Sequence, residues 1–167
     1  MSEAADKRAA PRVPPHSLAK RPWHLLSYGL GAGLLPGAPG TFGTVVAVPL
    51  FLLLEPLATP LYLAVVAVLA VLGVWLCGAT ARALAVHDHP SIVWDEVVGY
   101  LVTMAAAPAD WRWVLAGFVL FRLFDITKPW PIRAVDRRVH GGFGIMLDDV
   151  LAGIYGWLAL QALAWAT

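Results

Sequence analysis

The sequence predicts an all-α, multi-pass integral membrane bundle of about five membrane-embedded helices, and three observations carry that prediction. Of its 167 residues 59% are hydrophobic and 14% charged, with a mean hydropathy of +0.70. A soluble fold of this size has too little interior to hide so much apolar surface. The charges are also unevenly spread: between Pro22 and Ala81 the sole formally charged residue is Glu55, and none follows Asp149. Third, Lys and Arg concentrate on alternate joints between the apolar runs, the bias that orients a multi-pass chain. The same composition excludes a disordered chain. A net charge of +1 argues against a nucleic-acid binder, and the lone Cys77 excludes an internal disulfide.

The elements follow in order. Residues 1–22 are basic and proline-rich without an apolar run, so they read as a flexible cytoplasmic tail and not as a cleaved signal peptide. Residues 23–167 form a single membrane-embedded domain with no internal repeat. Apolar stretches lie at about 42–54, 61–77, 97–107, 113–121 and 150–166, parted by joints such as Glu55-Pro56 and Pro108-Ala109-Asp110. The run 61–77 would be roughly 26 Å long as a helix, and 150–166 matches it, so both are credible spans. The runs 97–107 and 113–121 reach a workable length only by extending through Asp95-Glu96 and through Arg122 and Asp125. That extension sets charges at helix ends on a membrane boundary, where they are expensive unless paired, wetted or coordinated.

With the tail inside and five alternating helices, segments 1–22, 78–96 and 125–147 hold ten of the twelve Lys and Arg residues. Asp88, Asp95, Glu96, Asp125, Asp136, Asp148 and Asp149 fall on the same cytoplasmic face, whereas Glu55 and Asp110 fall outside.

Four clusters on that face could carry chemistry. Gly29–Gly33 runs into PGAPGTFGT at 36–44, where backbone N–H groups with Thr41 and Thr44 could cradle a phosphate; a helix-breaking turn with Thr41 as N-cap is the plainer reading. In HDHPSIVWDEVVG at 87–99 the adjacent Asp95 and Glu96 could reach one metal near a helix start, while His87 and His89 read as structural or surface histidines. In FRLFDITKPWPIRAVDRR at 121–138, Arg122 and Asp125 share a helix face and Lys128 follows a turn later. A guanidinium fork and an ammonium suit phosphate, and a carboxylate suits a hard cation; Arg137 and Arg138 read as orienting interfacial charges. In HGGFGIMLDD at 140–149 two acids open an otherwise uncharged span, one more than a cap needs, and magnesium is the natural ligand.

Carboxylates in excess of nearby bases favour a divalent cation, and Arg122 with Lys128 favours an anionic substrate, which together fit metal-assisted phosphoryl hydrolysis by water. No covalent nucleophile is evident, since Cys77 lies in an apolar span and misses the Cys-x5-Arg spacing by one residue. No histidine-nucleophile, DxDGT or CDP-alcohol phosphotransferase motif is present. A non-catalytic membrane protein, such as a small cation transporter, would want its acids near the bilayer midplane.

The blocks PWHLL at 22–26, PGAPGTFGT, HDHPSIVWDEVVG, FRLFDITKPWPIRAVDRRVHGGFGIMLDD at 121–149 and the following Ala152-Gly153 resemble the bacterial phosphatidylglycerophosphatase A family. Thr44 stands where serine is common in that family. The resemblance implies a multi-pass enzyme of the bacterial inner membrane that removes the phosphate monoester of phosphatidylglycerophosphate, leaving phosphatidylglycerol, with magnesium required. Carried over, its acidic and basic motifs fall on Asp95, Glu96, Arg122, Asp125, Lys128, Asp148 and Asp149. The expected division of labour puts Mg2+ on Glu96, Asp125, Asp148 and Asp149 with Asp95 in support. Arg122 and Lys128 then hold the terminal phosphoryl group, and the Gly40-Thr41 turn contacts the glycerol phosphate or the lipid phosphodiester. A different lipid or isoprenoid phosphate is the nearest alternative substrate.

Overall fold

A computed structural model describes Pro11 and residues 13–166, so half of the amino-terminal tail lies outside the described residues. The described chain is helical, with no strand among those residues. Two short helices, α1 (Pro15–Leu18) and α2 (Pro22–Ser27), and a 3-10 stretch (Gly29–Leu34) lead into α3 (Pro39–Leu54) and α4 (Thr59–Leu84). After them come α5 (Trp94–Thr103), α6 (Trp111–Thr127), the short α7 (Ile132–Arg138) and α8 (Gly141–Ala166).

The five apolar runs each become a helix, with shifted ends. Helix α3 starts earlier than its apolar run because Pro39 suits a first turn, where a missing N–H costs nothing. Helix α6 runs through Arg122 and Asp125, as the spacing predicts, and starts on Asp110, whose side chain accepts from Arg112 N at 2.8 Å. Helix α5 is shorter than expected; its ten residues span about 15 Å, and it sits at the centre with eight of them buried. Helices α4 and α8 are long and apolar enough to cross a membrane by length and composition.

Helix α8 differs most from expectation. It begins at Gly141 instead of near residue 150, so Asp148 and Asp149 lie two turns inside it and cap nothing. The reason is close packing. A Cβ at Gly142 would overlap Val74 O and come within 2.8 Å of Gly78 Cα, so the glycines that read as a loop are what lets α8 lie directly on α4. Helix α8 also packs on α5, α6 and α7, and α5 packs on α3 and α4.

The loop between α4 and α5 is seated by the first glycine-rich cluster. A Cβ at Gly43 would fall 2.6 Å from Val93 Cβ, and one at Gly33 would overlap Ser91 O. Val93 N donates to Ser27 O at 2.9 Å, and His24 Nδ1 lies 2.8 Å from Thr80 Oγ1. The amino-terminal helix α2 is thus tied to both α4 and the start of α5. Thr41 makes no cap, and Thr44 donates to Gly40 O at 2.9 Å.

Candidate active site

Three helix segments converge. The first turn of α5 supplies Asp95 and Glu96, the end of α6 supplies Arg122 and Asp125 with Lys128 as its C-cap, and α8 supplies Asp148 and Asp149. They surround a cavity of about 220 Å³ lined by Asp88, Asp95, Glu96, Asp125, Lys128, Asp148 and Asp149. Residues far apart in sequence and expected on one face therefore meet in one place. Glu55 and Asp110, expected on the other face, share a different cavity with Phe51 and Trp111.

The two bases are held by acids. Arg122 Nη1 donates to Asp125 Oδ2 and lies 3.9 Å from Glu96 Oε1. Lys128 Nζ donates to Asp148 Oδ2, and to Asp136 Oδ1 at 2.8 Å. Burial by itself lowers the Lys128 pKa, but the Asp148 charge and the hydrogen bonds to Asp136 and Asp148 outweigh it and raise the pKa above the ordinary lysine value. The ammonium therefore stays charged at every working pH. Lys128 also holds a left-handed backbone, φ 42°, which is uncommon for a residue with a side chain and aims Nζ back toward α8.

The remaining acids form a cluster. Asp95, Glu96 and Asp149 each offer a carboxylate oxygen, and these atoms lie within 4.8 Å of one another. Asp95, Asp148 and Asp149 are only 7%, 6% and 3% exposed. Asp95 Oδ1, Glu96 Oε2, Asp148 Oδ1 and Asp149 Oδ2 are buried without a hydrogen-bond partner. Carboxylates this close and this dry repel one another and are costly to bury unpaired, so the cluster fits a hard cation with all-oxygen ligands. Asp125 and Asp148, expected as ligands, each spend one oxygen on a base.

Gly40, expected to touch substrate, is buried against the site. A Cβ there would overlap Glu96 Oε1 and come within 3.0 Å of Arg122 Nη1. The histidines outside the acid cluster make local bonds. His87 Nε2 accepts from Gly141 N at 3.2 Å and its ring stacks edge-on against His140, while His89 Nδ1 accepts from Ser91 N at 3.1 Å. Cys77 is fully buried.

Two residues outside the predicted set belong here. Asp88 lines the cavity and Asp136 is the second acceptor for Lys128. Asp88 sits in a loop, where helical periodicity says nothing, and Asp136 reaches the site from α7 beyond Pro129 and Pro131, so only the matched blocks could have marked them.

A sequence model of the family described as phosphatidylglycerophosphatase A matches residues 25–164. A phosphatidylglycerophosphatase A of Escherichia coli (strain K12) is 54% identical over 134 residues, covering 80% of this chain and 78% of that protein. The protein of the same name from Haemophilus influenzae is 48% identical over 144 residues, covering 85% and 88%. A Bacteroides thetaiotaomicron protein named as a candidate phosphatidylinositol-3-phosphatase is 36% identical over 150 residues, covering 84% and 92%. No solved structure matches the chain. All the residues that line the acidic cavity fall within the matched segment, and on that match the chain belongs to the phosphatidylglycerophosphatase A family.

Proposed function

We propose that this protein is a lipid phosphatase that hydrolyses the phosphate monoester of phosphatidylglycerophosphate, yielding phosphatidylglycerol and phosphate, with Mg2+ in the acidic cluster. The observation that carries the reading is a cavity walled by buried, unpartnered carboxylate oxygens and Lys128, with Arg122 held on its Asp125 wall, in a chain of this family.

Asp95, Glu96 and Asp149 hold the cation. Bound there, it would neutralise phosphoryl oxygens and lower the pKa of a coordinated water. Arg122 and Lys128 face the terminal phosphoryl group. Asp125 fixes the guanidinium and leaves Nε, which is buried and unpartnered, for a substrate oxygen. Asp136 and Asp148 fix the ammonium, and Asp148 Oδ1 stays free to accept the proton of the attacking water. The water oxygen bonds to phosphorus as the ester P–O bond opens, and the departing glycerol oxygen takes up a proton. Fixed cations matter here because the transition state keeps its charge on the equatorial oxygens.

Five membrane-embedded helices with the tail and the site on the cytoplasmic side of a bacterial inner membrane complete the reading. It is supported by the basic-residue bias and by large apolar side chains left bare on α4, α6 and α8, among them Val71, Val119 and Trp165. Purified protein assayed against a panel of lipid phosphates, including phosphatidylinositol-3-phosphate and phosphatidic acid, tests the reading. Phosphatidylglycerophosphate should give the highest kcat/KM; preference for another member would reassign the substrate.

A further inference from the structure

A second hollow, of about 370 Å³, adjoins the acidic cavity, and Lys128 lines both. Its other walls include Trp130, Arg133, Arg137 and Arg138. Helix α7 explains how they come to face it. Ile132 is fully buried and Asp136, one turn later, holds Lys128, so that face is turned inward. Arg133 and Arg137, also one turn apart, are turned outward and exposed, with Arg138 beside them.

Among the described residues no carboxylate pairs with these three arginines, and Arg133 Nη2 donates to Thr127 O at 3.3 Å. Three guanidinium groups gathered with no described carboxylate paired to them form an anion site of a different kind from the acidic cavity next door. The hollow also has apolar walls, Pro129, Ala134 and Trp130, and Trp130 is 81% exposed. A purely aqueous loop gains nothing by baring that indole beside a cationic cluster, whereas a surface that receives a lipid does.

We infer that this hollow binds the phosphodiester of the substrate lipid while the monoester occupies the acidic cavity. The inference rests on the function proposed above and adds where the rest of the substrate lies. Lys128 is the shared wall, so the two phosphates of one molecule sit on either side of it. Trp130 lies against the lipid end. In this reading the hollow takes the contact expected of the Gly40-Thr41 turn, where Gly40 is packed on Glu96 and Arg122. Specificity follows: a phosphate monoester on a lipid without the diester leaves three arginines unsatisfied and binds more weakly.

The phosphodiester of a neighbouring anionic phospholipid offers the same chemistry, so the test separates the two sources. Phosphate release is measured for the full chain in nonionic detergent micelles that hold phosphatidylglycerophosphate as the sole phospholipid, and again with added phosphatidylserine. Replacing both exposed arginines, Arg133→Gln with Arg137→Gln, should raise KM about tenfold or more in the substrate-only micelles, with a much smaller change in kcat. The Arg133→Lys, Arg137→Lys pair should recover part of the lost affinity, which a purely structural role would not predict. The single Arg133→Gln variant gives the same reading, at a smaller size, if the double variant folds poorly. An unchanged KM in substrate-only micelles, or a defect that emerges only with phosphatidylserine, overturns the inference and leaves the activity standing. Absence of phosphate release by the unaltered protein overturns the functional reading itself.

Discussion

Gly40 has no side chain where one would meet Glu96 Oε1 and the Arg122 guanidinium. Both neighbours are flexible side-chain ends, so a methyl group there displaces them without breaking the helix. Gly40→Ala is therefore expected to lower kcat on the order of 10²-fold through misplacement of Arg122, with thermal unfolding little changed. A large fall in unfolding temperature would mean that Gly40 serves the fold. Arg122→Lys keeps the charge but loses the fork shared with Asp125, and should cost roughly 2–4 kcal/mol of transition-state stabilisation, seen as lost kcat more than as raised KM. The equivalent Arg112→Lys change, at the opposite end of α6, should leave kcat nearly intact. Equal, small effects of the two would reduce Arg122 to an interfacial charge. At this scale the sequence was informative about which residues gather and less so about how they pair. Arg122 and Asp125 are legible as a pair because they lie three residues apart on one helix. The bond from Lys128 to Asp148 spans twenty residues and a change of direction, and no local rule reports it.

The elements show a similar division. The extension of α6 through its charged end followed from spacing, since a helix continues across Arg122 and Asp125 without a breaker until Pro129. The start of α8 did not follow, because His140-Gly141-Gly142-Phe143-Gly144 has a loop-like composition and poor intrinsic helix propensity. Tertiary packing overrides that propensity: the missing side chain at Gly142 lets α8 approach the α4 backbone. The same override turns Asp148 and Asp149 from a cap into buried residues of a helix interior. Gly142→Val should consequently destabilise the bundle by about 1–3 kcal/mol or more, because the obstacle is backbone that cannot swing aside. Thermal unfolding in detergent measures this. A stable variant with normal activity would show that α4 and α8 need not lie so close.

Across the molecule, hydropathy and charge placement were enough to indicate an all-helical chain, and the acidic motifs line one cavity with Lys128, while Arg122 is bonded to Asp125 in its wall. The short, buried α5 was less legible, since its apolar run continues beyond Thr103 although the helix stops there. Reporter fusions after Asp95 and after Asp136 should both report cytoplasm, and opposite sides would break the shared-face topology. If Asp95, Glu96 and Asp149 hold the divalent cation of a phosphatidylglycerophosphate phosphatase, as proposed above, turnover depends on that cation and on those carboxylates. Phosphate release by the purified protein is followed in EDTA and then through a magnesium titration, beside the Asp149→Asn variant. The expected result is no turnover in EDTA, recovery with magnesium, and a variant that folds normally but stays inactive or needs far more magnesium. Full activity in EDTA, or an Asp149→Asn variant with the unaltered protein's magnesium dependence, would contradict it.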